Sequence, residues 1–142
     1  MQTKKILIVE DDPDVREGMH VRLKANGYDT FFAVDALSVV AATRKHVPDL
    51  IILDLGLPGG DGYVVMERLN RIPEHALIPI IVVSARDVRG NQERALKAGA
   101  KAFLQKPVDN AELLAVIRQA LGEPAVPAGV VGDTGEFPLF RG

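Results

Sequence analysis

Cysteine is absent from the 142 residues, which excludes a disulfide scaffold and a thiolate metal site. There is no surplus of one charge either. The formal net charge is -2, so the basic face that phosphate-backbone binding requires is lacking, and direct nucleic-acid binding is not expected. Long apolar runs are missing as well. Met1-Gln2-Thr3-Lys4-Lys5 leads into a short apolar stretch that ends in acids, too short for a signal peptide or a membrane span. A cytoplasmic location without membrane contact is the expectation. What remains is ordinary globular composition, 47% apolar and 25% charged, with length for one domain and its core.

Short apolar runs alternate with helical patterns along the chain. Ile6-Leu7-Ile8-Val9 is uninterrupted and rich in β-branched residues, as a strand buried on both faces would be. Asp12-Pro13 reads as a helix cap followed by proline at the first helical position, and Asn26-Gly27 supplies the stop. A strand over residues 28–33 and a helix over 36–46 follow. Leu50-Ile51-Ile52-Leu53 is a third buried strand ending on Asp54. Gly56-Leu57-Pro58-Gly59-Gly60 reads as a loop by its breakers, and Asp61 as the cap of a third helix. Residues 78–83 make a fourth strand ending on Ser84, residues 88–98 a polar helix, and Ala102-Phe103-Leu104 a short fifth strand running into Lys106-Pro107. Asp109 heads a last helix that ends near Leu121. This alternation predicts an α/β fold, a doubly wound parallel sheet with helices on both faces.

In such sheets ligands bind beyond the carboxyl ends of the strands. Glu10, Asp11, Asp54, Ser84 and Lys106 all end strands and would share that edge. Carboxylates held close together repel, so one must be protonated or a cation must neutralise them. With no His or Cys among them, oxygen ligands favour a hard ion, Mg2+ over Zn2+. Lys106 brings a compact positive charge and Ser84 a hydroxyl able to donate to a phosphoryl oxygen. A carboxylate nucleophile in that company suits phosphoryl transfer through an aspartyl phosphate, with Asp54 as acceptor.

The motifs ILIVED, IILDLGLPGGDG, VVSA and FLQKP, in this order, resemble those of receiver domains of bacterial two-component response regulators, from about Lys4 to Leu121. The resemblance implies a flavodoxin-like (βα)5 fold of five strands in the order 2-1-3-4-5. It implies that Asp54 accepts phosphate from a sensor histidine kinase or histidine phosphotransfer protein, and that the domain then controls a downstream output. No other enzyme activity is implied beyond its own phosphorylation and dephosphorylation. Asp11 would be the direct Mg2+ ligand, Glu10 an outer one, and the Gly56 backbone carbonyl a further ligand beside Asp54. Ser84 and Phe103 match the switch pair and Lys106 the active-site lysine. The Lys106-Pro107 peptide is often cis in this family. Kinase specificity would lie in the first helix and neighbouring loops.

Gly56 stands where the family commonly carries a side chain, and Lys101-Ala102 where one subfamily has two acids used in a symmetric dimer. A phosphatase of the haloacid-dehalogenase type needs a second acid two residues after its nucleophile, the position of Gly56. A flavodoxin-like cofactor binder needs a phosphate loop after the first strand, where Glu10-Asp11-Asp12 would repel the phosphate. Asp12 is expected to cap its helix and not to bind metal. His20, His46 and His75 have no ligand spacing and are expected at the surface or with partners satisfied. Residues 122–142 form a Pro/Gly-rich tail or linker, in which Phe137-Pro138-Leu139-Phe140 is expected to pack on an apolar groove.

Overall fold

The computed structural model describes residues 3–124; the expected docking of Phe137-Pro138-Leu139-Phe140 lies outside them. The elements in chain order are β1 (Lys5–Val9), α1 (Pro13–Ala25), β2 (Asp29–Ala33), α2 (Val39–His46), β3 (Leu50–Leu53), β4 (Gly56–Leu57), β5 (Gly60–Asp61), α3 (Gly62–Asn70), α4 (Pro73–Ala76), β6 (Ile80–Ser84), α5 (Val88–Lys97), β7 (Ala102–Gln105) and α6 (Asn110–Leu121). The five longer strands form one parallel sheet in the order β2-β1-β3-β6-β7, the predicted 2-1-3-4-5 once the two-residue strands are set aside.

Successive strand residues point to opposite faces, and here both faces are covered. Leu7, Val9, Ile51, Leu53 and Val82 pack with Val39, Met66, Leu69 and Ala95 of α2, α3 and α5. Ile6, Ile8, Ile52, Ile81 and Val83 pack with Met19, Leu23, Leu113 and Ile117 of α1 and α6. That double burial explains why the strands read as unbroken apolar runs.

Several boundaries differ from the sequence-based expectation, each for a local reason. α2 starts at Val39, because Asp35 and Ser38 close a side-chain turn first: the Ser38 N–H donates to Asp35 Oδ1 at 2.9 Å. The expected loop at 56–60 is a two-stranded hairpin in which Gly56 pairs Asp61 and Leu57 pairs Gly60. Pro58-Gly59 makes its turn, with Gly59 at φ 84°, the left-handed value that the third position of a type II turn demands. β6 begins at Ile80, two residues later than expected, and α5 carries non-helical backbone at Arg89 and Gly90. The four-residue α4 was not foreseen; Pro73 stands at its first position.

His75, within α4, corrects an expectation: it is 7% exposed and its Nδ1 is buried with no hydrogen-bond partner. The packing of the α3–β6 connection encloses the ring without offering it a donor or acceptor at that atom. His20 and His46 do have partners: His20 Nδ1 lies 2.6 Å from Thr30 Oγ1, and His46 stacks on Phe31 at 4.2 Å between centroids. A buried, unpartnered polar atom costs about 1–3 kcal/mol. His75→Leu is therefore expected to raise the melting temperature; an unchanged or lower value by calorimetry would contradict this.

α6 ends at Leu121, and Gly122 caps it in the left-handed region. Just beyond, the Tyr28 hydroxyl donates to Glu123 Oε1 at 2.6 Å, tying the end of α6 to the residue before β2. Burial, and then the Glu123 carboxylate, push the Tyr28 phenol well above its ordinary pKa.

Candidate functional site

Glu10, Asp54 and Lys106 each follow the last residue of a strand, Asp11 comes one residue later, and Ser84 is the last residue of β6. The Glu10 N–H donates to Ala33 O at 3.1 Å, the Asp54 N–H to Val9 O at 3.0 Å, and the Lys106 N–H to Ser84 O at 2.8 Å. The parallel register therefore delivers these side chains to one edge without any further device. Carboxylate oxygens of Glu10, Asp11 and Asp54 lie within 4.8 Å of one another. Lys106 Nζ lies 2.7 Å from Glu10 Oε1 and 3.5 Å from Asp54 Oδ2. The Lys106–Pro107 peptide is cis.

Glu10 is 2% exposed and Asp54 7%, whereas Asp11 faces solvent. Burial raises the Glu10 pKa above its ordinary value and the neighbouring Asp54 charge adds to that, against the hydrogen bond from Lys106. Burial alone would lower the Lys106 pKa, but its hydrogen bond to Glu10 and the charge of Asp54 outweigh this, so the ammonium is favoured. Three acids with one lysine leave negative charge at this edge, and three close carboxylates fit a hard divalent cation.

Asp12 does not join them. Its Oδ1 accepts from the Asp14 and Val15 N–H groups at 2.9 and 3.3 Å, so it caps α1 as expected. Asp61 caps α3 in the same way, accepting from the Tyr63 N–H at 2.8 Å. The Gly56 N–H donates to Asp54 Oδ1 at 3.2 Å, and the space where a Gly56 side chain would stand is open. Ser84 is 1% exposed, and its Oγ accepts from the Arg86 N–H at 3.0 Å. Phe103 pairs in register with Val82, which by the pleat puts it on the same sheet face as Ser84, diagonally across the ladder.

Two residues were missed by sequence reasoning. Arg86 reaches back across the site, donating to Leu55 O and Asp61 Oδ2, both at 3.3 Å, so it joins the loop after β6 to the hairpin after β3. Arg16 donates to the carbonyl oxygens of Glu10 and Asp11. Neither sits at a strand end. The only sequence signal was a cation a few residues beyond one.

The response regulator receiver domain model matches residues 6–118. PleD of Caulobacter vibrioides is 36% identical over 115 residues, which make 80% of this chain but only 25% of that response regulator. The polar-differentiation response regulator DivK of Brucella ovis is 32% identical over 121 residues, 85% of this chain and 98% of DivK. Among solved structures, the receiver domain of the Pseudomonas aeruginosa sensor histidine kinase PA1611 superposes with a TM-score of 0.78 at 29% identity, covering 86% of this chain and 100% of that one. That receiver holds a magnesium ion coordinated in its active-site cleft. Sheet order, strand-edge acids and lysine, and these matches agree: the chain belongs to the receiver-domain family of two-component response regulators.

Proposed function

We propose that Asp54 is the phosphoacceptor, taking a phosphoryl group from a sensor histidine kinase or histidine phosphotransfer protein. The observation that carries this reading is the meeting of Asp54 with Lys106 at 3.5 Å inside a three-carboxylate cluster. An Asp54 carboxylate oxygen attacks phosphorus in line. An O–P bond forms as the P–N bond to the donor imidazole breaks, and the imidazole leaves with the electron pair. Lys106 sits where its ammonium meets the phosphoryl oxygens, and the Ser84 hydroxyl can turn to donate to one of them. Asp11, Asp54 and the Gly56 carbonyl would hold Mg2+, with Glu10 behind them. Bound there, the ion neutralises charge on the transferring phosphoryl oxygens. Gly56 brings no second carboxyl group, which weighs against a dehalogenase-type phosphatase, and the acids ending β1 weigh against a flavin phosphate.

The test is direct. Acetyl phosphate with Mg2+ should add one phosphoryl group, labile to hydroxylamine and mapping to the peptide that carries Asp54. Label elsewhere would refute the assignment.

Residues 1–121 form the receiver in this reading, with 122–142 as a tail or linker. A groove of about 910 Å³ between α1 and the Lys106–Val108 turn, lined by Gly18, Met19, Arg22, Val108 and Leu113, offers the phosphodonor protein a surface beside the acceptor. The signal would leave along β6 and β7: as Ser84 turns toward the phosphoryl group, Phe103 gains room to move. That is a population shift between two packings, which requires the phosphoryl group to contact one of them better. Beryllofluoride should therefore shift amide resonances from Ser84 to Phe103 and not only those around Asp11 and Asp54; changes confined to the latter would contradict the route.

The raised Glu10 pKa makes one contribution to the pH dependence of stability. An acid whose pKa is raised on folding stabilises the fold below its unfolded value and loses that contribution as pH rises through the folded value. The Glu10 contribution to metal-free stability thus falls from acid toward neutral pH, while Mg2+ would bind the ionised carboxylates. Mg2+ should thus raise the melting temperature more at about pH 7.5 than at about pH 5. An equal or reversed effect in a thermal-shift series would contradict it.

A further inference from the structure

We infer that Arg16 is a positioning residue for the cation site, acting through the backbone of the two acids that end β1. This rests on the Mg2+ reading above. Arg16 lies in the first turns of α1, and one of its guanidinium nitrogens, Nη1, donates to Glu10 O at 2.9 Å and to Asp11 O at 3.3 Å. Those carbonyls belong to the two residues that leave the ladder and turn toward α1. The same residues carry a buried and an exposed carboxylate into one cluster.

The turn is held from several sides. The Asp12 N–H donates to Glu10 Oε2 at 3.2 Å, and the Asp12 side chain caps α1. Neither bond reaches the Asp11 peptide oxygen. Among the described residues, the Arg16 side chain spans both carbonyls, so it holds the two successive peptides, Glu10–Asp11 and Asp11–Asp12, against rotation. The guanidinium is itself braced, 6.0 Å above the Phe32 ring, and Phe32 meets His20 edge-on at 5.5 Å. A planar group with fixed donor directions is suited to bridging two oxygens.

Two effects of Arg16 on a cation oppose each other. Its charge repels the ion, while its hydrogen bonds hold Asp11 where a ligand is needed. Solvent reaches this half-buried guanidinium and weakens the repulsion, whereas the bonds made by Asp12 leave the Glu10 and Asp11 carbonyls without the clamp that Arg16 provides. Positioning therefore dominates, and removing Arg16 weakens the site instead of relieving it. Orienting partners of ligands typically account for 10–100-fold in metal affinity, and a partner acting through backbone belongs at about ten-fold.

The experiment titrates Mg2+ alone into the full chain, following amide chemical shifts, for the native protein, Arg16→Met, Arg16→Lys and Asp11→Asn. Arg16→Met should bind Mg2+ about ten-fold more weakly. Its phosphorylation by acetyl phosphate should need correspondingly more Mg2+, with the rate recovered as the ion is raised. Arg16→Lys, whose ammonium keeps a donor without the planar fork, should bind Mg2+ between native and Arg16→Met, and it serves as the test if Arg16→Met proves poorly folded; native affinity in it would count against a need for the guanidinium. Native affinity in Arg16→Met, or tighter binding from relieved repulsion, would overturn the role of Arg16 while leaving the metal site intact. Undiminished binding in Asp11→Asn, or no uptake by the native chain, would overturn the metal reading itself.

Discussion

Asp54→Asn is expected to abolish hydroxylamine-labile phosphorylation by acetyl phosphate and Mg2+ while the protein stays folded. The amide oxygen is a poor nucleophile and an acyl phosphate cannot form on it, so the loss is complete and not partial. The fold should tolerate the change. Asp54 contributes its ladder bond to Val9 O through the backbone, and its Oδ1 accepts from the Gly56 N–H, a bond that an amide oxygen can also take. One carboxylate fewer in the cluster also relieves repulsion with Glu10 and Asp11. Intact-mass spectra of native and variant protein, with melting curves of each, check both halves. Undiminished label on the variant would move the acceptor elsewhere, and Asp11 is the next carboxylate to examine.

The largest effect on stability is expected at Gly62. Its backbone is not unusual, but a Cβ there would stand 2.7 Å from Leu55 Cα and 2.9 Å from Asp54 O. These are backbone atoms in the segment that carries Asp54, and the Gly62 N–H donates to Leu55 O at 3.0 Å. The clash cannot be relieved by a rotamer change, so the head of α3 must move off β3. Overpacking of this kind costs typically about 1–3 kcal/mol. The helix-propensity gain of alanine over glycine, at most about 1 kcal/mol, does not offset contact with backbone on two sides. Gly62→Ala should lose about 2 kcal/mol net, near 8 °C in melting temperature. Gly18→Ala is the control. Gly18 lies mid-helix in α1 with nothing within 4 Å of its Cβ, so that variant should hold or gain stability. Equal melting temperatures for Gly62→Ala and native protein would refute the packing argument.

Most of the architecture could be read from the chain because burial on both faces writes each strand as an apolar run closed by a polar residue. That pattern named Glu10, Asp54, Ser84 and Lys106, which the parallel register then places on one edge. Helix caps at Asp12 and Asp61 were equally legible, since capping is local and spans two or three residues. What escaped was non-local. Arg86 meets Leu55 and Asp61 across separations of 31 and 25 residues, and no periodicity announces such a reach. The enclosure of His75 depends on how the α3–β6 connection folds over it, which residue type alone does not reveal. The hairpin after β3 hid behind its own glycines and proline, the same residues that make loops.

The Tyr28–Glu123 tie has a further consequence. It holds the end of α6 at the amino edge of the sheet, while Asp54 lies at the carboxyl edge. A strand of five residues rises roughly 16 Å between those edges. The acidic cluster around Asp54 and the end of α6 thus lie at opposite edges of the sheet. With Asp54 as acceptor, lengthening or replacing the segment after residue 124 is expected to leave labelling by acetyl phosphate unchanged, because the Tyr28–Glu123 bond lies at the other edge of the sheet.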